Sequence, residues 1–232
     1  MPTKHRKSGR APTKRPRKLS AVPAKAPGRL ERRKLDTRQR LVHAAQIVMG
    51  RQGVEAATIA DITEQADVGF GSFYNHFKSK EEIAHEVFAS RARELAEELE
   101  GVFDRIEDPN LAAGIVQRWF IECGRRDPVW GWFLIHAEVA LPIVEATFHE
   151  RICRDLARLP ATGRVTIPSV PMAASITLAA IMTTMRHALE GTLGNDGPSQ
   201  MVEALFRMYG LPHDEAHRLA YTALPTWLGK GG

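Results

Sequence analysis

Cysteine is scarce in this chain. Cys123 and Cys153 are the two thiols among 232 residues, too few for a disulfide framework, and no Cys-x-x-Cys pair is present. They read as reduced, partly buried thiols, with a redox sensor as the alternative. Long apolar runs are missing too. None reaches the ~20 residues of a membrane-spanning helix, and the basic start has no apolar stretch that would make it a secretory signal. Sustained period-two alternation is absent, which argues against a sheet. No internal repeat, phosphate loop, dinucleotide fingerprint or Ser-His-Asp order is found, so neither an enzyme nor a cofactor is expected. Two short-range pairs merit a check for metal. His213 and His217 stand at i and i+4, but Asp214 follows the first where the zinc-protease pattern needs Glu. His149 and Cys153 have the same spacing and no third ligand. Both pairs read as exposed helix faces, and no metal is expected. A cytoplasmic protein that stays off the membrane is the expectation.

Acid is nearly absent from one part of the chain. Residues 1–34 carry 13 Lys and Arg against a single acid, Glu31, whereas the remainder carries 19 against 26. The net charge of +5 thus hides a basic arm on an acidic body. Pro2, Pro12, Pro16, Pro23 and Pro27 deny the arm helical hydrogen bonds and its like charges repel, so residues 1–34 read as disordered. Such an arm is either a nucleic-acid tail or a solvated extension.

What is present beyond the arm is helical periodicity. A first helix is expected from about Asp36 to Gln52, capped by Asp36 or Thr37, with Leu41, Ala44, Ala45, Ile47 and Val48 near helical spacing and Gly53 as the stop. Further helices are expected at about 110–125, 128–138, 142–158, 170–191, 198–209 and 213–223, separated by Pro and Gly. The fold class is all-α. The expected division is the arm 1–34, a helix-turn-helix unit 35–82 and a helical body 83–232.

The informative stretch is residues 58–80, TIADITEQADVGFGSFYNHFKSK. Thr58 caps a short helix, with Asp61 three residues on completing a reciprocal pair. Asp67 falls where the turn needs a left-handed residue. A third helix of about Gly69 to His76 follows, pinned to the core by Phe73 and Phe77. Ser79 with Glu82 is a capping box for the fourth. This is the layout of a helix-turn-helix, whose second helix enters a DNA major groove. Gly69 and Gly71 remove side chains where the backbone would approach DNA, Ser72 offers a hydroxyl, and Asn75 pairs bidentately with adenine or meets phosphate. Thr58, Tyr74, His76 and Lys80 suit phosphate oxygens. Phe70 has two readings: it meets a thymine methyl from the outward face, or it folds back into the core or against a partner.

These residues resemble the N-terminal domain of the TetR family of transcriptional regulators. The residues that match the family pattern are Gly53, Thr58, Ile62, Ala66, Val68, Ser72, Tyr74, His76, Phe77 and Lys80, over about 36–88. Two positions depart from it, Thr63 where Ala is usual and Asp67 where Gly is usual, both on the packing or turn side. The resemblance implies an all-helical homodimer with a C-terminal ligand domain, often a repressor that a small molecule releases from a palindromic operator. It also implies a dimer interface through the last long helices, here 171–189 and 199–211, where Ala173, Ala174, Ala179 and Ala180 would allow close approach. Two third helices would then enter major grooves roughly 34 Å apart. A small-molecule effector would need a cavity in the body. Trp119, Trp132, His136, Met182 and Arg186 are the expected lining, aromatic and sulfur-bearing with a few polar groups, although the same residue types also fill helical cores. The alternative function is nonspecific or architectural DNA binding driven by the arm.

Overall fold

The computed structural model describes residues 28–99 and 101–229. Among them are eleven α-helices and no strand. The first, α1 (Arg29–Gln52), begins seven residues before Asp36. Gly28 precedes it, and the Glu31 carboxylate accepts the Gly28 N–H at 2.9 Å, satisfying one of the donors a helix start leaves open. Thr37 does not cap: its hydroxyl donates to the Arg33 carbonyl at 3.0 Å, as a helix-interior residue does. Residues 29–34, expected in the disordered arm, are therefore two exposed basic turns of α1. The rest of that expectation, residues 1–27, lies outside the described residues.

Three short-range devices build the next elements. Helix α2 (Ile59–Gln65) starts on a full capping box: Thr58 Oγ1 accepts from Asp61 N and the Asp61 carboxylate accepts from Thr58 N, both at 3.1 Å. It ends on a Schellman motif, with Val68 N donating to Thr63 O and Asp67 N to Glu64 O, both 3.0 Å. Asp67 takes φ 52°, the one positive value at a non-glycine among the described residues. Arg40 holds that turn from α1, donating to the Ala66 carbonyl at 2.5 Å and the Asp67 carbonyl at 2.9 Å. Helix α3 (Phe70–Phe73) is shorter than expected. Residues 74–76 continue as a tightened turn in which Asn75 N and His76 N bond three residues back, to Ser72 O and Phe73 O. Helix α4 (Lys80–Leu99) follows. Its cap differs in one bond: Ser79 Oγ accepts from Glu82 N, but the Glu82 carboxylate takes the Lys78 N–H, not that of Ser79.

The body comprises α5 (Val102–Arg105), α6 (Pro109–Arg126), α7 (Pro128–Ala140), α8 (Pro142–Leu156), α9 (Val170–Leu189), α10 (Gly197–Met208) and α11 (His213–Tyr221). Their breaks fall at prolines and glycines; the single turn α5, which was not expected, starts behind Gly101, at φ 73°. Phe73 and Phe77 pin the head to a core that runs without interruption into the body through Ile83, Val87, Leu95 and Ile115. The last helices bury a second cluster around Leu205, Phe206 and Leu219. Head and body are clamped chiefly by α1 lying along α7. Gly50 makes that approach possible, since a Cβ there would lie 2.7 Å from the Val129 carbonyl oxygen.

Candidate DNA interface and cavity

The head presents one continuous polar and aromatic face. Thr58, Gly69, Phe70, Gly71, Tyr74 and Asn75 are exposed, and Ser72, His76 and Lys80 are half-buried beside them. Phe70 is 52% exposed and Tyr74 is 54% exposed, which removes the reading that Phe70 folds into the core. The two rings meet edge to face at 5.8 Å, and Tyr74 in turn rests on buried Phe73 at 5.5 Å. The aromatic pair is held in place without being covered.

The fold does not need the two glycines of this face. Both have negative φ values. A Cβ on Gly71 would meet nothing within 4 Å, and one on Gly69 would meet only the Ser72 hydroxyl, at 3.9 Å. The flanking polar groups are set by internal bonds. Lys80 Nζ donates to the Glu55 carbonyl at 2.6 Å, fixing one of its three hydrogens and leaving two. His76 Nδ1 is buried with no partner, and burial, then Lys34 and Arg38, lower the ring's pKa. It sits on this face as a neutral imidazole at neutral pH. Asp61, behind the face, is held below the usual carboxylate range by the Thr58 bonds and by Gln52.

The body contains a cavity of about 220 Å³ between α4, α6, α8 and α9. Its walls are mainly apolar, with Leu95, Phe120, Phe148, Leu178 and Ile181 prominent, and Gln117 is a polar group on the α6 side. None of the five residues expected to line a ligand site is on its wall. Trp119 and Met182 are core residues, 3% and 4% exposed. Trp119 is further occupied by its Nε1 bond to Glu98, at 3.1 Å, and by Arg126 over its ring. Arg186 is on the surface. Trp132 and His136 stack on one another at 5.7 Å over a shallow opening shared with Gly50 and Arg51, at the α1–α7 seam. The expected set thus splits into core, surface and the α1–α7 seam. A better signal was available in α6, where Gln117 interrupts the apolar stripe of Ala113, Val116 and Phe120: a polar residue in a buried register needs a partner.

Small residues on α9 also divide. Ala173 and Ala174 are buried within the chain, whereas Ala179 is exposed and Ala180 half-buried. They join Met172 and Ile176, 61% and 40% exposed, and Thr183 in a stripe along the outer face of the helix. His213 and His217 each turn Nδ1 to Glu203, at 3.2 and 3.0 Å, and His149 Nδ1 lies 3.7 Å from the Cys153 sulfur. No group of three or more His, Cys, Asp or Glu among the described residues is placed to hold a metal. No single helix among them is long and apolar enough to cross a membrane.

A helix-turn-helix head is packed through a shared core against an all-helical body with its own cavity. Residues 41–87 match the family model for bacterial regulatory proteins of the tetR family, and residues 108–222 match the tetracyclin repressor-like C-terminal domain. The chain belongs to the TetR family of transcriptional regulators. Among curated relatives, the HTH-type transcriptional regulator SrpR of Pseudomonas putida is 43% identical over 60 residues, 26% of this chain and 28% of that protein. The HTH-type transcriptional repressor DhaR of Mycobacterium sp. (strain GP1) is 39% identical over 67 residues, 27% of this chain and 34% of that protein. The chain therefore spans about a third of these relatives' lengths. Among solved structures, RolR in complex with resorcinol has a TM-score of 0.66 and 29% identity over 84% of this chain and 97% of that one. A TetR-family regulator from Agrobacterium tumefaciens, at 14% identity and a TM-score of 0.63 over 76% of this chain and 98% of that one, shares the fold.

Proposed function

We propose that this regulator is a homodimeric repressor that binds a palindromic operator and is released by a small molecule held in the body cavity. The observation that carries the DNA half is the pair of exposed glycines flanking Phe70, which neither the backbone nor the packing requires. Around them, Ser72 and Asn75 face the bases, and Thr58, Tyr74, His76 and Lys80 face the phosphates. Phe70, exposed and braced by Tyr74, meets a thymine methyl. The ligand half is supported by the cavity and by the relative RolR, whose structure holds resorcinol. The outer stripe of α9, from Met172 to Thr183, with exposed Met208 of α10, supplies the dimer face. The division into a basic arm, a helix-turn-helix unit and a ligand-binding body accompanies this reading, with the boundary of the first unit moved back to the start of α1.

Selection of bound DNA from a random pool tests it. The expected product is a palindrome whose half-sites are about one helical turn apart. Asn75→Ala is expected to cost about 1–3 kcal/mol of binding and to relax preference at one base pair per half-site. Recovery of no common sequence, with equal affinity for random DNA, would favour architectural binding driven by the basic arm.

A further inference from the structure

The chemistry of the cavity wall restricts what can occupy it. Size comes first. A dry apolar cavity of about 150 Å³ admits benzene, and pockets for drug-sized ligands begin near 300 Å³. At about 220 Å³ this one has room for a single ring with one or two small substituents. The wall favours an aromatic ring: Phe120 and Phe148 meet edge to face, 5.0 Å apart at 88°, a geometry in which a third ring can join on either face or edge.

Charge comes second. The lining holds two acids and two bases, all on α8, and they answer one another. Arg151 Nε lies 3.9 Å from Asp155 Oδ2, and Arg154 Nη2 lies 3.4 Å from Glu150 Oε1. No net charge remains to meet an ionised ligand, whose desolvation would go uncompensated.

Hydrogen bonding comes third. The two threonine hydroxyls of the lining are already engaged, Thr147 with the Ile143 carbonyl at 2.7 Å and Thr177 with the Tyr209 hydroxyl at 2.6 Å. Gln117 is different. It is 5% exposed, and its Oε1 is an acceptor buried with no partner; Arg151 Nε, 3.9 Å from Asp155, is a donor on the same wall that also lacks a hydrogen-bond partner. A lone buried acceptor costs about 1–3 kcal/mol, a cost that a donor arriving with a ligand removes.

We propose that the cavity takes an uncharged one-ring aromatic compound bearing a hydroxyl or N–H donor, with the donor bonded to Gln117 Oε1 and the ring packed against Phe120 and Phe148. This deepens the reading of the cavity as the effector site and rests on it.

Calorimetric titration of the full chain with phenol, benzene and benzoate tests the proposal. Phenol is expected to bind at least tenfold more tightly than benzene, and benzoate not to bind detectably. Gln117→Leu is expected to erase the preference for phenol while still binding benzene, which also shows that the variant is folded; Gln117→Met serves in its place if the leucine variant unfolds. Leu178→Trp is expected to fill the cavity and abolish all binding. Benzoate binding as tightly as phenol, a phenol-to-benzene ratio unmoved by the Gln117 variants, or no binding of either neutral ring would each overturn it. DNA release is scored separately by anisotropy on a selected operator. Phenol that binds without loosening the operator complex leaves the ligand class standing and removes the effector role. A chain that selects no operator overturns the regulator reading and leaves the calorimetric result intact.

Discussion

Lys80 has one partner in the structure and a proposed second, a DNA phosphate. Its ammonium is tied to the Glu55 carbonyl in the loop between α1 and α2. Each lysine–phosphate contact releases about one counterion from DNA. Lys80→Ala is therefore expected to weaken operator and random DNA alike, and to reduce the slope of log affinity against log salt by about one per contact. Fluorescence anisotropy across a salt series measures this, and an unchanged slope would place Lys80 in the loop alone. Asp67 shows what one residue can announce. A polar residue tolerant of the left-handed region, between two short helical patterns, marked the turn, and it has φ 52°. Trp119 and Met182 show the opposite. Their chemistry suits a ligand pocket and a core equally, and only the rotation of α6 and α9 within the bundle sends them to the core.

At the scale of elements, two contacts link the reader to the body. Helix α4 runs from Lys80, on the proposed DNA face, to Leu95 and Leu99, on the cavity wall. Helix α1 is clamped along α7, with Gly50 against the Val129 carbonyl. The seam has no room for growth. Gly50→Ala is expected to destabilise the fold by about 1–3 kcal/mol, read as a lower urea midpoint with an unchanged slope. A midpoint that does not move would mean that α1 and α7 are free to separate. Trp132 and His136 flank the same seam, away from the α4–α9 cavity. Among the elements, most boundaries were legible because Pro, Gly and capping residues set them locally. The start of α1 was not, because Gly28 and Glu31 cap it from inside a basic run that reads as disordered by composition.

For the whole molecule, the outward stripe of α9 is the proposed dimer face. Met172, Ile176, Ala179 and Thr183 lie on one face that is exposed among the described residues, and two copies meeting there would bury it. Ile176→Glu is expected to place a charge in that contact and raise the dimer dissociation constant at least tenfold, since an unpaired buried charge costs several kcal/mol. Sedimentation should then show monomers with native helix content, and operator binding should fall with the dimer fraction. Dimers of unchanged stability would move the interface elsewhere.

The sequence by itself determined the all-helical class, the position of the helix-turn-helix and the residues on its outer face. Those features rest on local causes: spacing, capping, turn conformation and the absence of side chains at Gly69 and Gly71. The tertiary structure alone decided where the cavity lies, which residues line it and which alanines of α9 face outward. These depend on how each helix is rotated against three or four others. An apolar residue at helical spacing looks the same in a sequence whether it meets a neighbour, a void or a second copy of the chain.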